Sequence, residues 1–150
     1  MSIVPIILFV FSFIFAFISS HYQHGSFTYE LIRYLLLLSV GVQGIWAFIG
    51  HFFYAADVAK FFGWKSGPFQ QEVSFALLSY GILGVMSYFF ESVWFGAILA
   101  ITVFLLGAAY THAMDMVKRK NFSLGNAGPI FYLDIILPLT LWISVWIYFG

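Results

Sequence analysis

The sequence predicts an all-α integral membrane protein, five transmembrane helices in one bundle, and three observations carry that prediction. Of its 150 residues 63% are hydrophobic and only 8% charged, whereas soluble domains carry roughly 25% charged residues. Its mean hydropathy is +0.98. Its apolar residues gather into five runs near the length of about 20 residues that a helix needs to cross a hydrocarbon core. The runs do not alternate and are about twice the length a membrane strand needs, which argues against transmembrane strands.

The first run, Ile3–Ser19, reads as a retained helix. Ala16–Ser20 offers small residues at a cleavage-like position, but no positive segment precedes the run and its length exceeds a signal peptide's apolar stretch. The second run is Leu35–Phe53. The third and fourth, Val73–Phe90 and Val93–Ala113, are parted only by Glu91 and Ser92, a turn so tight that the two helices are expected to be antiparallel neighbours. The fifth is Ile130–Phe149. Together they make a single transmembrane domain over residues 1–150. The long connection Tyr54–Gln71 carries Val58, Phe61, Phe62 and Trp64 among Asp57 and Lys60. It fits a short interfacial helix roofing the bundle, or aromatic anchoring of helix ends, the commoner role.

Charge fixes the expected orientation. Lys60, Lys65, Lys118, Arg119 and Lys120 fall in two connections on one side, and only Arg33 falls on the other. Positive residues mark the cytoplasmic face, so the N-terminus is expected inside and the C-terminus outside. Six Lys and Arg balance six Asp and Glu, leaving no field to attract nucleic acid. With no cysteine, disulfides, thiolate metal sites, iron–sulfur clusters and a cysteine nucleophile are excluded. No G-x-S-x-G marks a serine nucleophile, and Gly125-Asn126-Ala127-Gly128 lacks the lysine and strand of a phosphate loop.

Ionisable groups within a membrane are expensive and point to function. His51, Glu72, His112, Asp115 and Asp134 come from four helices, yet the topology puts them all in the cytoplasmic leaflet. His112 and Asp115, three apart, share a helix face. Gly44, Ala47 and His51 form a small-residue stripe suited to close helix contact, with Gln43 and Gly50 flanking it. The two cytoplasmic connections also look alike: His51 precedes Gly67-Pro68 by 16 residues and His112 precedes Gly128-Pro129 by 16, each followed by an acid, Glu72 or Asp134. That is the mark of a weak parallel repeat over spans two to five.

Four chemistries suit the cluster. His51, Glu72, His112 and Asp115 could ligate a divalent metal, and His51 with His112 could be the axial ligands of a haem. Glu72 beside His112 could form an acid–base pair acting on a lipophilic substrate, since imidazole changes charge near neutrality. Alternatively the groups hold helices together by hydrogen bonds. The outer halves of the third and fifth spans offer little polarity beyond Ser87 and Ser144, which favours a dead-end pocket over a channel. The expected role is binding or transport of a divalent metal, a proton or a small amphipathic molecule. A membrane enzyme and a structural subunit of a larger membrane complex are the alternatives, and the chain could assemble as an oligomer or within a larger membrane complex.

The stretches GWKSGPFQQEVSFALLSYGILGV (63–85) and LGAAYTHAMDMVKRKNFSLGNAGPIFYLDIILPL (106–139) resemble a family of small bacterial polytopic membrane proteins known only as a domain of unknown function. The likeness covers spans two to five and leaves the first span outside. It implies a bacterial plasma-membrane setting and picks out Gln70, Glu72, His112 and Asn126, with no agreed activity. The candidate pocket is therefore His51, Gln70, Glu72, His112, Asp115, Asn126 and Asp134.

Overall fold

The computed structural model describes residues 3–150. Helix α1 is Ile3–Gln23. The second span, Phe27–Phe53, is one continuous helix in three parts: α2 (Phe27–Tyr34), a π-helical stretch (Leu35–Val42) and α3 (Gln43–Phe53). It starts at Phe27 rather than Leu35 because Ser26 caps it, accepting from the Tyr29 amide, and because Glu30 and Arg33 cancel each other's charge one turn apart. Ala55–Phe62 forms the short helix α4, ending at Gly63, whose φ of 72° lies in the left-handed region that glycine tolerates. The third span is α5 (Pro68–Phe89). A 3-10 turn, Glu91–Val93, leads into α6 (Trp94–Arg119), which runs past Ala113 until Lys120 turns left-handed at φ 55°. A single turn, α7 (Leu124–Ala127), precedes α8 (Pro129–Phe149). Among the described residues these give five helices long and apolar enough to cross a membrane.

The two Gly-Pro pairs occupy equivalent places. Gly67 and Gly128 are the extended caps, and Pro68 and Pro129 open α5 and α8, where a missing N–H costs no hydrogen bond.

The spans pack as pairs: α1 on α2, α6 on α8, and α3 with the π-helical stretch on α5. The last contact is backbone on backbone. A Cβ added to Gly44 would lie 2.7 Å from the Gly81 nitrogen and the Leu77 carbonyl oxygen, and one on Gly84 would collide with Gly41, so these positions accept only glycine without the helices parting. Spans three and four meet at their shared turn and through Tyr80 and Phe104, ring centroids 5.0 Å apart. Ile32, Leu35, Leu36, Ile98 and Leu141 fill the half of the bundle nearest Glu91. Large apolar side chains such as Phe17, Phe95, Val103 and Trp146 stand on the outside, the surface a bilayer covers.

Most polar groups at the Glu91 end are paired, although Ser19 Oγ, near the end of α1, is buried without a partner. Arg33 makes two hydrogen bonds to Glu30, at 3.0 and 3.1 Å, and its guanidinium lies 4.3 Å from the centre of the Tyr88 ring. Tyr29 donates to Glu91 at 2.6 Å, and the Trp94 indole donates to the Ser87 carbonyl at 2.7 Å.

Candidate functional site

Toward the other end, where Lys60, Lys65, Lys118, Arg119 and Lys120 lie, the spans part around a cavity of about 880 Å³. Ile101 and Leu137 belong both to its wall and to the packed core, so it stops at the apolar plug. Trp46, Val73 and Val103 line it yet are 45%, 40% and 67% exposed, so it opens sideways between the spans, toward lipid. The walls are apolar, and the few polar groups among them define the site.

His112, on α6, is buried. Its Nδ1 lies 2.8 Å from Oδ1 of Asn126, a fully buried residue of α7. The Asn126 amide nitrogen donates to the carbonyls of Asn121 and His112, at 2.9 and 3.3 Å. Two carbonyl partners fix which end of that amide is nitrogen, so Oδ1 must accept from His112 and the imidazole proton sits on Nδ1. Nε2 is left facing Asp134, whose Oδ2 is 3.7 Å away. That separation is too long for a hydrogen bond. The Asp134 side chain is only 9% exposed, its Oδ2 has no hydrogen-bond partner, and the residue lines the cavity.

A second wall residue repeats the pattern. Gln43, the first residue of α3, has a buried Oε1 with no partner. It stands eight residues before His51 on the same helix, about 12 Å along the axis. His51 also lines the cavity, with Nδ1 3.4 Å from the Gln70 side-chain nitrogen, which donates to the Ala55 carbonyl at 2.9 Å. Nδ1 of His51 is then an acceptor and its proton lies on Nε2, the opposite arrangement to His112.

The roof is α4 and the coil after it. Phe62 and Trp64 lie nearly parallel to the His112 ring, with centroids at 5.4 and 5.1 Å. Asp115 holds this roof in place. It accepts from the Trp64 indole at 2.8 Å and from Asn121 at 2.6 Å, and pairs with Arg119 at 3.2 Å. Although three residues from His112, its carboxylate is committed to the connections and not to the cavity.

Of the residues singled out from sequence, the structure thus brings His51, His112 and Asp134 to one cavity, with Gln70 and Asn126 directly behind the two histidines. Glu72 is exposed on α5 and stands apart. The set His51, Glu72, His112 and Asp115 does not converge, and among the described residues no three His, Asp or Glu are placed to hold a metal ion. Phe62 lies against both imidazoles, with ring centroids 6.3 Å from His51 and 5.4 Å from His112. Trp64, Phe62 and Gln43 are the site residues that sequence reasoning did not select. A lone glutamine inside an apolar run, two turns from a histidine, was the available signal for Gln43.

The chain belongs to DUF6790, a family of unknown function whose model matches residues 2–149. The match bears out the resemblance read from the sequence and extends it, since the first span is included. No curated protein and no solved structure matches the chain.

Proposed function

We propose that the protein binds a small amphipathic molecule taken laterally from the bilayer, apolar body between the spans and polar group at His112 and Asp134. The carrying observation is the unpartnered, nine-tenths-buried Oδ2 of Asp134 facing Nε2 of His112 inside a cavity of about 880 Å³. Buried polar atoms without partners are costly, and a cavity of this size suits a drug-sized ligand. With the basic end in the cytoplasm, as the charge distribution implies, the mouth lies in the inner leaflet of a bacterial plasma membrane. The apolar plug at the Glu91 end supports binding in a closed pocket over passage through the membrane.

Native mass spectrometry of protein purified in mild detergent tests this. A small-molecule adduct is expected on the unaltered chain and its loss in Ala108→Trp, which fills the cavity. No adduct from native membranes, and none after incubation with lipid extract, overturns the proposal.

One feature favours a second reading, chemical conversion of the bound molecule. Asn126 locks the His112 ring so that its basic nitrogen faces the cavity and an acid, the orientation a general base requires. Conversion would appear as an adduct mass that changes in the unaltered chain and persists unchanged in His112→Gln.

A further inference from the structure

The two groups that meet beneath the roof of the cavity act as acceptors when His112 is neutral and Asp134 ionised: Nε2 of His112 and Oδ2 of Asp134, 3.7 Å apart. Among the described residues, no lysine or arginine nitrogen lies within ion-pair distance of Asp134; Arg119 is held by Asp115 and Arg33 by Glu30. A donor atom about 2.8 Å from each acceptor would see them roughly 80° apart, an angle that two N–H bonds of one nitrogen can serve with modest bending. A buried carboxylate without a counter-charge is strongly disfavoured, so a positive donor fits better than a neutral one. Tyr54, Phe61, Phe62 and Trp64 line the same end, and aromatic surfaces favour cations.

Resting on the binding proposal above, we infer that the molecule is a lipophilic amine, bound as its ammonium with one N–H to Asp134 Oδ2 and another to His112 Nε2. The apolar remainder lies toward Ile101 and Leu137 or out through the lateral opening. The pocket is therefore selective for headgroup charge and donor count, and permissive about the apolar body.

The test is equilibrium dialysis of four naphthalene probes against the full chain in lipid nanodiscs, with empty nanodiscs as background. The probes carry the same ring and differ at one group: aminomethyl, hydroxymethyl, carboxylate and trimethylammoniomethyl. The amine is expected to bind roughly ten- to a hundredfold more tightly than the alcohol, the margin of a charge-assisted hydrogen bond, and the carboxylate most weakly. The trimethylammonium probe, which has no N–H, is expected to fall well below the amine. This comparison needs no variant, so folding of a mutant does not limit it. Asp134→Asn is expected to bring amine and alcohol to equal affinity. Alcohol or trimethylammonium binding as tightly as the amine overturns the amine inference and leaves the cavity proposal standing. An amine preference that survives in Asp134→Asn does the same. If no probe binds above empty nanodiscs, the inference and the proposal it rests on both fall.

Discussion

The two ends of the bundle use their polar side chains differently. At the Glu91 end Glu30 pairs with Arg33, Tyr29 with Glu91 and Trp94 with the Ser87 carbonyl, and the one buried hydroxyl there without a partner, Ser19 Oγ, does not line the cavity. Packed apolar side chains lie directly beneath. At the basic end, Asn126, Asn121 and Asp115 are equally well bonded, but they serve as scaffolding behind a cavity in which Asp134 and Gln43 keep unpartnered oxygens. Satisfied polar groups make one end a clamp. Unsatisfied ones, held in place by satisfied neighbours, make the other a site.

Substitutions separate the two roles. The largest effect is expected from Arg33→Leu, which strands the buried Glu30 carboxylate. Breaking such a pair from one side destabilises by about 3–5 kcal/mol, readable as a lowered unfolding midpoint in mixed detergent; an unchanged midpoint would mean the clamp contributes nothing. Next comes Gly84→Ala at the crossing of spans two and three, where the new methyl meets the Gly41 backbone. Overpacking of this kind costs about 1–3 kcal/mol, and the same unfolding measurement checks it. Asp115→Asn removes the charge that holds Arg119 and weakens the tie to Trp64 and Asn121. About 1–2 kcal/mol of stability should be lost, and amide exchange should quicken in α4 and the following coil while the Glu91 end stays protected. The smallest change carries the most contrast. Asp134→Leu removes an unpartnered buried oxygen, so stability should hold or rise by about 1 kcal/mol while retention of the ligand by mass spectrometry is lost. A substantial drop in stability would place Asp134 with the clamp residues and break the comparison.

Much of the architecture was legible because a hydrocarbon core imposes length and polarity on any segment that crosses it. All five runs became spans. Their ends moved where charge was neutralised locally. Glu30 and Arg33 read as loop residues until paired across one helical turn, and the segment from Met114 to Arg119 stays helical although it carries Asp115 and two cations. The histidines and Asp134 were findable as expensive groups in apolar helices. Glu72 was selected by the same logic, yet a single residue near a helix start has no periodic neighbours to reveal which way it faces, and it faces outward. Asp115 shows a different limit. Helical spacing put it beside His112, but its partners Trp64 and Asn121 lie on connections whose paths depend on tertiary packing. The connection that fitted either an interfacial helix or plain anchoring formed the helix, with Val58, Ala59 and Phe62 turned inward.

The π-helical stretch Leu35–Val42 lies between the clamp and the site on one uninterrupted rod. Wide turns such as these take up more residues per revolution than an α-helix, so the stretch acts as a phase adjuster. It sets the azimuth of Gln43 and His51 independently of the azimuth of Glu30 and Arg33. Losing one residue there would swing one end about 100° relative to the other, turning Gln43 out of the cavity while the ion pair stayed put. Chain length within this short stretch, as much as side-chain identity, is therefore what aligns the wall of the cavity with the rest of the bundle.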